Sequence, residues 1–371
     1  MKIGVPKEIK VHEYRVGLTP SSVREVVAHG HSVLVQTQAG TGIGATDADY
    51  ERAGATIVGT AAEVFASAEM VIKVKEPQAV ERRMLREGQV LFTYLHLAPD
   101  PDQARDLVDS GAICIAYETV TSAAGGLPLL APMSEVAGRM SVQAGAHCLE
   151  RAAGGMGILL GGVAGVTPAR IVILGAGVVG RNAAQMAVGS GAQVVVIDKS
   201  IDALRHLDAM LGSRVITVYS NRDNVEREVL RADLVISGVL IPGAAAPKLV
   251  TREMLGRMKK GSVIVDVAID QGGSAETSRP TTHAEPTYVV DGVVHYCVAN
   301  MPGAVPRTST YALNNATLPF ALALADRGWR EALRRDPHLK AGLNIAAGKV
   351  TYREVAQALD LSYTAADAVL S

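Results

Sequence analysis

The stretch ARIVILGAGVVG, residues 169–180, places three glycines between a run of apolar residues and a helical pattern. Gly175 permits a tight turn, Gly177 lets a ligand approach the backbone, and Gly180 lets the helix pack on the strand. The N-terminus of the helix offers N–H groups and a positive dipole end to a phosphate. Glycines at this spacing between a strand and a helix predict a dinucleotide-binding turn that includes Val178 and Val179.

The next predicted strand, VVVID at residues 194–198, ends in an acid that suits a nucleotide. Asp198 follows the glycine turn by about twenty residues, where a carboxylate accepts hydrogen bonds from ribose hydroxyls. Because that carboxylate would repel a 2′-phosphate, we expect NAD rather than NADP. The alternative is a glycine-rich turn beside a solvated aspartate, and the combination of strand, glycines, helix and acid argues against it.

Alternating strand and helix patterns extend in both directions from this turn. One series fills residues 1 to about 120, and a second continues from the glycine turn through GSVIVDVAID, residues 261–270. Such alternation predicts parallel sheets flanked by helices. The expected fold class is α/β, with two doubly wound Rossmann-like domains, a cleft between them, and long helices that join them.

Three further elements are predicted outside the alternating series. SEVAGRMSVQAGAHCLERAAGG, residues 134–155, predicts a long helix. Ser134 would cap its N-terminus, and the negative charge of Glu135 would interact favourably with the helix dipole there. YVVDGVVHY, residues 288–296, predicts a hairpin with Asp291-Gly292 as its turn. Residues 309 to about 335 again show a helical pattern, and a short helix or two should follow.

The overall composition favours a small-molecule enzyme over a nucleic-acid or membrane protein. The 371 residues suffice for two domains with separate cores. With 36 basic and 37 acidic side chains, the net charge of −1 provides no field for nucleic acid or an anionic membrane. GGMGILLGGVAGV, residues 154–166, is shorter than the roughly 20 apolar residues of a membrane span. We expect a loop or a packed strand there.

Cysteine content and the N-terminal sequence predict a cytoplasmic location. Cys114, Cys148 and Cys297 are odd in number and include no CxxC pair, which argues against disulfides or a zinc site and for a reducing compartment. We expect all three to be buried. MKIGVPKEIK, residues 1–10, carries charges where a signal peptide would be apolar.

Candidate catalytic residues follow several predicted strands. Lys75 ends MVIKVKEP, His96 ends VLFTYLHLAP, and Asp270 ends VIVDVAIDQGG. Ligands of open α/β sheets bind at the carboxyl ends of strands, so these side chains should face the predicted cleft. Each alone has an ordinary structural explanation, such as a satisfied core histidine or a lysine that extends to water.

Arg15 is a fourth candidate, in a turn between the first strand and a helix that starts near Thr19-Pro20. Its planar guanidinium can bind a carboxylate through two hydrogen bonds. The spacing alone favours an ordinary surface arginine paired with Glu13 or Glu8.

Eight segments, in this order and spacing, carry a family signal: GVPKEIKVHEYRVGLTP (4–20), VIKVKEP (71–77), TYLHLA (93–98), APMSEVAGRM (131–140), ILGAGVVG (173–180), DVAIDQGG (266–273), SRPTTH (278–283) and VANMPGAVPRTSTYALNNA (298–316). Together they resemble the alanine dehydrogenases, a family shared with the nucleotide-binding subunit of proton-translocating nicotinamide nucleotide transhydrogenases. The resemblance runs from residue 1 to about residue 330.

The resemblance implies specific roles and an assembly. Arg15 and Lys75 would hold the substrate carboxylate and its keto or imine group, and His96 and Asp270 would transfer protons. The family implies a discontinuous substrate domain (1–128 plus 307–371), an NAD-binding domain (129–306) and a homohexamer. NAD contacts beyond the glycine turn are implied at Ser134, Asp198, Ser220, Val239, Leu240, Val267, Ala268, Ile269, Asp270, Arg279, Val298, Ala299, Asn300 and Met301.

Several positions depart from the usual family pattern. His12 stands where asparagine is common, Gly17 where alanine is usual, and Val179 replaces a small residue of the glycine turn. Ala203 stands where some relatives carry a basic side chain near the adenosine, which weakens the argument for NAD over NADP. Arg327 offers no metal ligand, so no metal is expected.

The expected activity is reversible, NAD-dependent oxidative deamination of L-alanine to pyruvate and ammonia. Glycine or glyoxylate suits the same groups, because one methyl group contributes only about 1–3 kcal/mol of discrimination. Two alternatives stay open. A transhydrogenase subunit would need a membrane partner and often further C-terminal sequence, and a non-catalytic NAD-responsive regulator could use the same fold.

Overall fold

The computed structural model describes residues 1–239 and 246–371, which form two compact units. The first unit comprises Met1–Met133 and Val305–Ser371, and the second comprises Ser134–Ala304. Each unit contains its own β-sheet. Leu240, a predicted NAD contact, lies outside the described residues.

The strands, in chain order, are β1 Lys2–Val5, β2 Ser32–Gln36, β3 Thr56–Val58, β4 Met70–Ile72, β5 Val90–Thr93, β6 Ile113–Ala116, β7 Arg170–Leu174, β8 Gln193–Asp198, β9 Ile216–Tyr219, β10 Leu234–Ser237, β11 Val263–Asp266, β12 Thr287–Val290, β13 Val293–Tyr296, β14 Leu343–Ala346 and β15 Lys349–Val350. The α-helices are α1 Pro20–Ala28, α2 Asp47–Arg52, α3 Ala61–Ser67, α4 Ala79–Arg82, α5 Pro101–Asp109, α6 Ala131–Cys148, α7 Val178–Gly189, α8 Ile201–Leu211, α9 Arg222–Arg231, α10 Arg252–Arg257, α11 Pro306–Arg327, α12 Trp329–Arg335, α13 Pro337–Lys340, α14 Arg353–Ala358 and α15 Ala366–Leu370.

The sheet of the second unit is doubly wound. Its strand order is β12-β13-β11-β10-β7-β8-β9, and every pair is parallel except the β12–β13 hairpin. The chain builds outward from β7 to β9 and then returns to the other side of β7 with β10. The strand order therefore reverses between β7 and β10, which is where nucleotides bind in sheets of this type.

The sheet of the first unit repeats this plan. Its order is β15-β14-β6-β5-β4-β1-β2-β3, with the reversal between β1 and β4. Strands β1 to β6 are parallel, and β14 and β15 add an antiparallel hairpin beside β6. That hairpin was not predicted, because only helices were expected near the C-terminus. Its turn contains Ala347 and Gly348, both at positive φ.

Burial of both sheet faces explains the apolar strands. In β7, Ile171 and Ile173 pack in one hydrophobic core, while Val172 and Leu174 pack in another on the opposite face. Side chains alternate between the two faces of a strand, and helices cover both faces of a parallel sheet. The strands therefore appear in the sequence as continuous apolar runs.

Helix α6 begins earlier than the sequence analysis predicted. It spans Ala131–Cys148, so Ser134 lies inside its first turns and does not open it. Pro132 is compatible with the earlier start, because proline is tolerated in the first turn of a helix, where its missing N–H would have no intrahelical partner.

The predicted hairpin is confirmed, and of the loop or packed strand expected at residues 154–166 the structure has the loop. Strands β12 and β13 pair with Val290 opposite Val293, and Asp291 and Gly292 both have positive φ, as the tight turn requires. Residues 154–166 lack regular strands apart from an isolated Val163–Val166 bridge. Among the described residues, no helix combines the length and apolarity that crossing a membrane requires.

The burial of all three cysteines is confirmed, and none forms a disulfide. Burial raises the pKa of Cys114 to about 12 and the pKa values of Cys148 and Cys297 to about 11. Since the thiolate is the reactive species, we expect iodoacetamide at neutral pH to leave all three unmodified in the folded protein and to alkylate them in denaturant. Intact-mass spectrometry tests this, and rapid labelling of the folded protein would contradict it.

Candidate active site

The glycine turn of the second unit connects β7 to α7. Gly175 has φ +100°, a conformation that L side chains rarely adopt. A Cβ on Gly180 would overlap the carbonyl oxygen of Gly175, so this glycine lets the helix pack directly on the turn. The fold of the chain itself explains both positions.

Gly177 differs, because the local structure of the chain does not require a glycine there. Its φ is −70°, and an added Cβ would meet no other atom of the described residues within 4 Å. It is also the N-cap of α7, where no described side chain accepts a hydrogen bond from the first turn. An open, uncapped helix N-terminus fits the pyrophosphate of a dinucleotide.

Replacing Gly177 with alanine should weaken NAD binding without unfolding the second unit. The new methyl would occupy the space through which a pyrophosphate approaches the backbone, a clash that we expect to raise the Kd for NAD about tenfold. The melting temperature should not fall. Titration of NAD measures the Kd, and Gly189→Ala is a matched control because Gly189 is also open. Equal NAD affinity in both variants would contradict a pyrophosphate at Gly177.

Asp198 lies at the end of β8 beside the glycine turn. Its Oδ2 accepts a hydrogen bond from the Ala176 N–H at 2.6 Å, and its Oδ1 accepts one from the Ser200 N–H at 2.7 Å. A carboxylate has about four lone-pair sites, so it has capacity for ribose hydroxyls as well. The acid therefore fixes the turn and suits the ribose role predicted for it.

Most other residues predicted to bind NAD lie just after the carboxyl ends of the parallel strands of this sheet. Asp270 is exposed in a 3₁₀ turn, Val267–Gln271, that follows β11. Ser134 is an exception, because it lies in α6. The residues that follow strand ends are Ser220 after β9, Val239 after β10, Val267, Ala268, Ile269 and Asp270 after β11, and Val298, Ala299, Asn300 and Met301 after β13.

Asp266 fixes the loop that carries Asp270. This fully buried carboxylate accepts hydrogen bonds from the Ser278 hydroxyl at 2.6 Å, the Ser274 N–H at 2.7 Å and the Ala268 N–H at 3.2 Å. Arg279 follows this loop, and its guanidinium stacks 4.1 Å from the centre of the Tyr288 ring.

In the first unit, three predicted site residues follow adjacent strands. Arg15 comes after β1, Lys75 after β4 and His96 after β5, and these strands are neighbours in the sheet. Arg15 and Lys75 follow the two strands between which the strand order reverses, the usual ligand position in such a sheet. Lys75 and His96 each lie three residues beyond the strand, so neither strand extends as far as predicted.

Arg15 is not the surface residue that the spacing favoured. It is only 2% exposed, and its Nε and Nη2 donate to the two carboxylate oxygens of Glu13 at 2.7 and 2.6 Å. Its Nη1 lies 3.1 Å from the sulfur of Met133. The predicted pairing with Glu13 is therefore present, and it holds the guanidinium in one orientation.

A buried ionic cluster supports the backbone at Lys75, whose side chain is half-buried. Glu8 accepts hydrogen bonds from the Lys75 N–H at 3.2 Å, the Val74 N–H at 2.7 Å and the Lys73 ammonium at 2.9 Å. Lys73 also donates to Glu81 at 2.8 Å. Burial raises the pKa of Glu8, while the charge of Lys73 opposes that rise.

His96 has an unusual backbone and defined neighbours. Its φ is +49°, and its ring stacks nearly parallel to Tyr94 with centroids 5.7 Å apart. Burial raises the pKa of Tyr94 above its usual value, so the phenol stays protonated and donates to the Leu129 carbonyl at 2.6 Å. The His96 N–H donates to Glu118 at 2.6 Å.

Four charged residues near these sites were not among the candidates predicted from the sequence: Glu8, Lys73, Asp266 and Glu118. All four still follow the rule that selected Lys75, His96 and Asp270. Glu8 comes shortly after β1, Lys73 directly follows β4, Glu118 follows β6, and Asp266 is the last residue of β11. Applied to every charged residue near a strand end, the rule would have found them.

Two family models match the chain. The model described as "Alanine dehydrogenase/PNT, N-terminal domain" covers residues 4–137, and that described as "Alanine dehydrogenase/PNT, C-terminal domain" covers residues 141–353. The chain belongs to the alanine dehydrogenase/PNT family.

Curated members of the alanine dehydrogenase/PNT family match this chain along its whole length. The alanine dehydrogenase of Halomonas elongata is 63% identical over 100% of both chains, and that of Methanococcus maripaludis is 56% identical over 100% of both. A solved L-alanine dehydrogenase has a TM-score of 0.94 and 53% identity over 97% of this chain and 99% of its own.

The transhydrogenase of Sinorhizobium meliloti is also similar, with a TM-score of 0.82 and 28% identity over 95% of this chain and 99% of its own. These comparisons confirm the family resemblance and the two-domain Rossmann-like fold class. The individual site residues stay predictions.

Proposed function

We propose that this protein is an L-alanine dehydrogenase that uses NAD to convert L-alanine reversibly to pyruvate and ammonia. The observation that carries this proposal is the 63% identity with a curated alanine dehydrogenase over the full length of both chains. Two arrangements support it. The second unit has an open glycine turn at Gly177, of the kind that suits a dinucleotide, and in the first unit Arg15, Lys75 and His96 follow neighbouring strands.

We assign substrate binding to the two cations that follow β1 and β4. Arg15 and Lys75 would hold the carboxylate and the keto or imine group of the substrate, since charge-assisted hydrogen bonds to carboxylates are strong and directional. Glu13 and Glu8 hold these cations in place, through the guanidinium of Arg15 and the backbone of Lys75. Such positioning converts a bimolecular reaction into a nearly unimolecular one.

We assign proton transfer to His96 and Asp270. Bound NAD would accept the hydride from Cα of alanine. Water then adds to the resulting substrate iminium, and His96 removes the proton from that water. Asp270 shares the proton transfer or orients the water. Loss of ammonia gives pyruvate, so alanine, NAD and water yield pyruvate, ammonia, NADH and a proton.

Formation of NADH by the purified protein with NAD and L-alanine at alkaline pH tests the proposal. Glycine, D-alanine and NADP serve as comparisons, and glyoxylate with ammonium tests the reverse reaction. We expect turnover with L-alanine and NAD, and little with D-alanine or NADP. Turnover of glycine or glyoxylate would extend the range of substrates without changing the type of reaction. Tight NAD binding without oxidation of any amino acid would reject the proposal.

The transhydrogenase alternative is less well supported, because the matching transhydrogenase is 28% identical to this chain whereas the alanine dehydrogenases are 53–63% identical. Hydride exchange between NADH and an oxidised NADP analogue would reveal such an activity. NAD binding with neither exchange nor amino-acid oxidation would instead favour a regulatory protein.

The proposal extends to organisation and location. We assign substrate binding to residues 1–128 plus 307–371 and NAD binding to residues 129–306, and we expect a homohexamer, as the family resemblance implies. Light scattering should give six times the mass of one chain.

Three buried cysteines without disulfides support a cytoplasmic location. The near-neutral charge supports small molecules, rather than nucleic acid or a membrane, as partners.

A further inference from the structure

Glu118 contacts the backbone on which His96 is built. It lies in a 3₁₀ turn, Tyr117–Thr119, directly after β6. Its Oε1 accepts hydrogen bonds from the His96 N–H at 2.6 Å and the Leu95 N–H at 3.1 Å. One carboxylate therefore holds two consecutive N–H groups of the loop that presents the histidine.

The conformation of His96 requires such support. Its φ of +49° lies in the left-handed region, which is unfavourable for residues with a Cβ unless surrounding contacts impose it. Glu118 satisfies the N–H of this residue, while stacking on Tyr94 orients its ring. The carboxylate thus helps to impose the backbone turn that determines where the imidazole points.

Glu118 reaches the backbone of His96 and not its ring. The Oε1 of Glu118 lies 3.9 Å from Nδ1 of the imidazole, which exceeds the length of a hydrogen bond. The same oxygen lies 2.6 Å from the backbone nitrogen. The geometry favours support of the loop over an imidazole–carboxylate pair.

The 3₁₀ turn that carries Glu118 is attached to the sheet through the next residue. The neighbouring Thr119 hydroxyl accepts a hydrogen bond at 2.8 Å from the side chain of Asn344, a buried residue of β14. The Glu118 side chain is 14% exposed, whereas that of His96 is 43% exposed. A mostly buried carboxylate thus supports a histidine that solvent or substrate can reach.

We propose that Glu118 is a positioning residue for the proposed alanine dehydrogenase reaction, acting on His96 through two backbone hydrogen bonds. This inference rests on the proton-transfer role proposed for His96. It predicts that kcat depends more on the length of the Glu118 side chain, which sets the reach of its acceptor oxygen, than on its charge.

Two conservative variants separate reach from charge. Glu118→Gln keeps an acceptor oxygen at the same distance from the backbone but removes the charge, whereas Glu118→Asp keeps the charge but is shorter by one methylene. We expect the Gln variant to retain most of the wild-type kcat and the Asp variant to lose about 10- to 100-fold through misplacement of the histidine. The Kd for NAD and the melting temperature should stay close to wild type in both.

The opposite order of activities would overturn the proposal, because it would show that the charge of Glu118 matters and its reach does not. Equal activities in the two variants, whether both high or both low, would also overturn it. A double-mutant cycle adds a second test. If Glu118 acts through His96, Glu118→Asp should cause no further loss in a His96→Ala background, whereas multiplicative losses would reject that route.

Failure of the proposed function gives a different result. In that case the wild-type protein itself would not oxidise L-alanine. If the wild type is active and His96→Ala is not, a normal Glu118→Asp variant refutes only the positioning role.

Discussion

We expect His96→Ala to lower the kcat for L-alanine oxidation by about 10²- to 10⁴-fold, the range typical of the removal of a general acid–base group. The imidazole is the group that we assign to deprotonate the attacking water, and the His96 side chain, three residues beyond β5, is 43% exposed. The Kd for NAD should stay unchanged, because the dinucleotide-binding turn belongs to the second unit. Steady-state kinetics and NAD titration measure the two quantities.

His29→Ala is a matched control for this variant. The His29 side chain is 42% exposed and lies 3.2 Å from a carboxylate oxygen of Asp326, in the same unit as His96. It should therefore reproduce the general effect of removing a half-exposed histidine near an acid. Wild-type kcat in His96→Ala would remove the histidine from the mechanism, and an equal loss in His29→Ala would indicate a non-specific effect.

Lys75→Ala should impair substrate binding and turnover together. The ammonium charge is expected to meet the substrate carboxylate or its keto oxygen in both the bound state and the transition state. A hydrogen bond to a charged group contributes about 1.5–3 kcal/mol, so kcat/KM for L-alanine should fall about 10- to 100-fold. KM for pyruvate in the reverse reaction should rise.

Lys340→Ala controls for the loss of a partly buried lysine from the first unit. Its side chain is 30% exposed, and its ammonium lies 2.8 Å from Asp367. We expect wild-type kinetics from this variant. Unchanged kinetics in Lys75→Ala would show that Lys75 does not bind the substrate and is an ordinary solvated lysine.

The sequence predicted the elements whose signals are local. A strand, a glycine turn and a helix follow one another within residues 169–189, so the position of the glycine turn could be inferred without tertiary information. The Asp291-Gly292 hairpin is equally local, because two adjacent residues with positive φ define its turn.

The sequence could not show the contacts that hold the candidate site in place. Glu8 and Lys75 are 67 residues apart, and Glu118 and His96 are 22 residues apart. These pairs meet only because the strand order of the first sheet brings β1, β4, β5 and β6 together. The prediction from spacing that Arg15 lies on the surface was also wrong, because the burial of Arg15 depends on packing against residues distant in sequence, such as Met133.

Errors at element ends have a similar origin. Ser134 is a good N-cap residue, yet α6 starts at Ala131, ahead of Pro132. The strands before Lys75 and His96 end three residues early. At His96, the backbone N–H donates to Glu118 instead of to a neighbouring strand, and the backbone is in the left-handed region.

Oxidation of L-alanine deuterated at Cα tests the central claim most directly, because it follows the hydride itself. We predict that each turnover yields equal amounts of pyruvate, ammonia and reduced nucleotide, with the deuterium on the nicotinamide ring of NADH, as mass spectrometry would show. Release of the deuterium to solvent, or no reduced nucleotide in the presence of tightly bound NAD, would contradict direct hydride transfer from alanine by this protein.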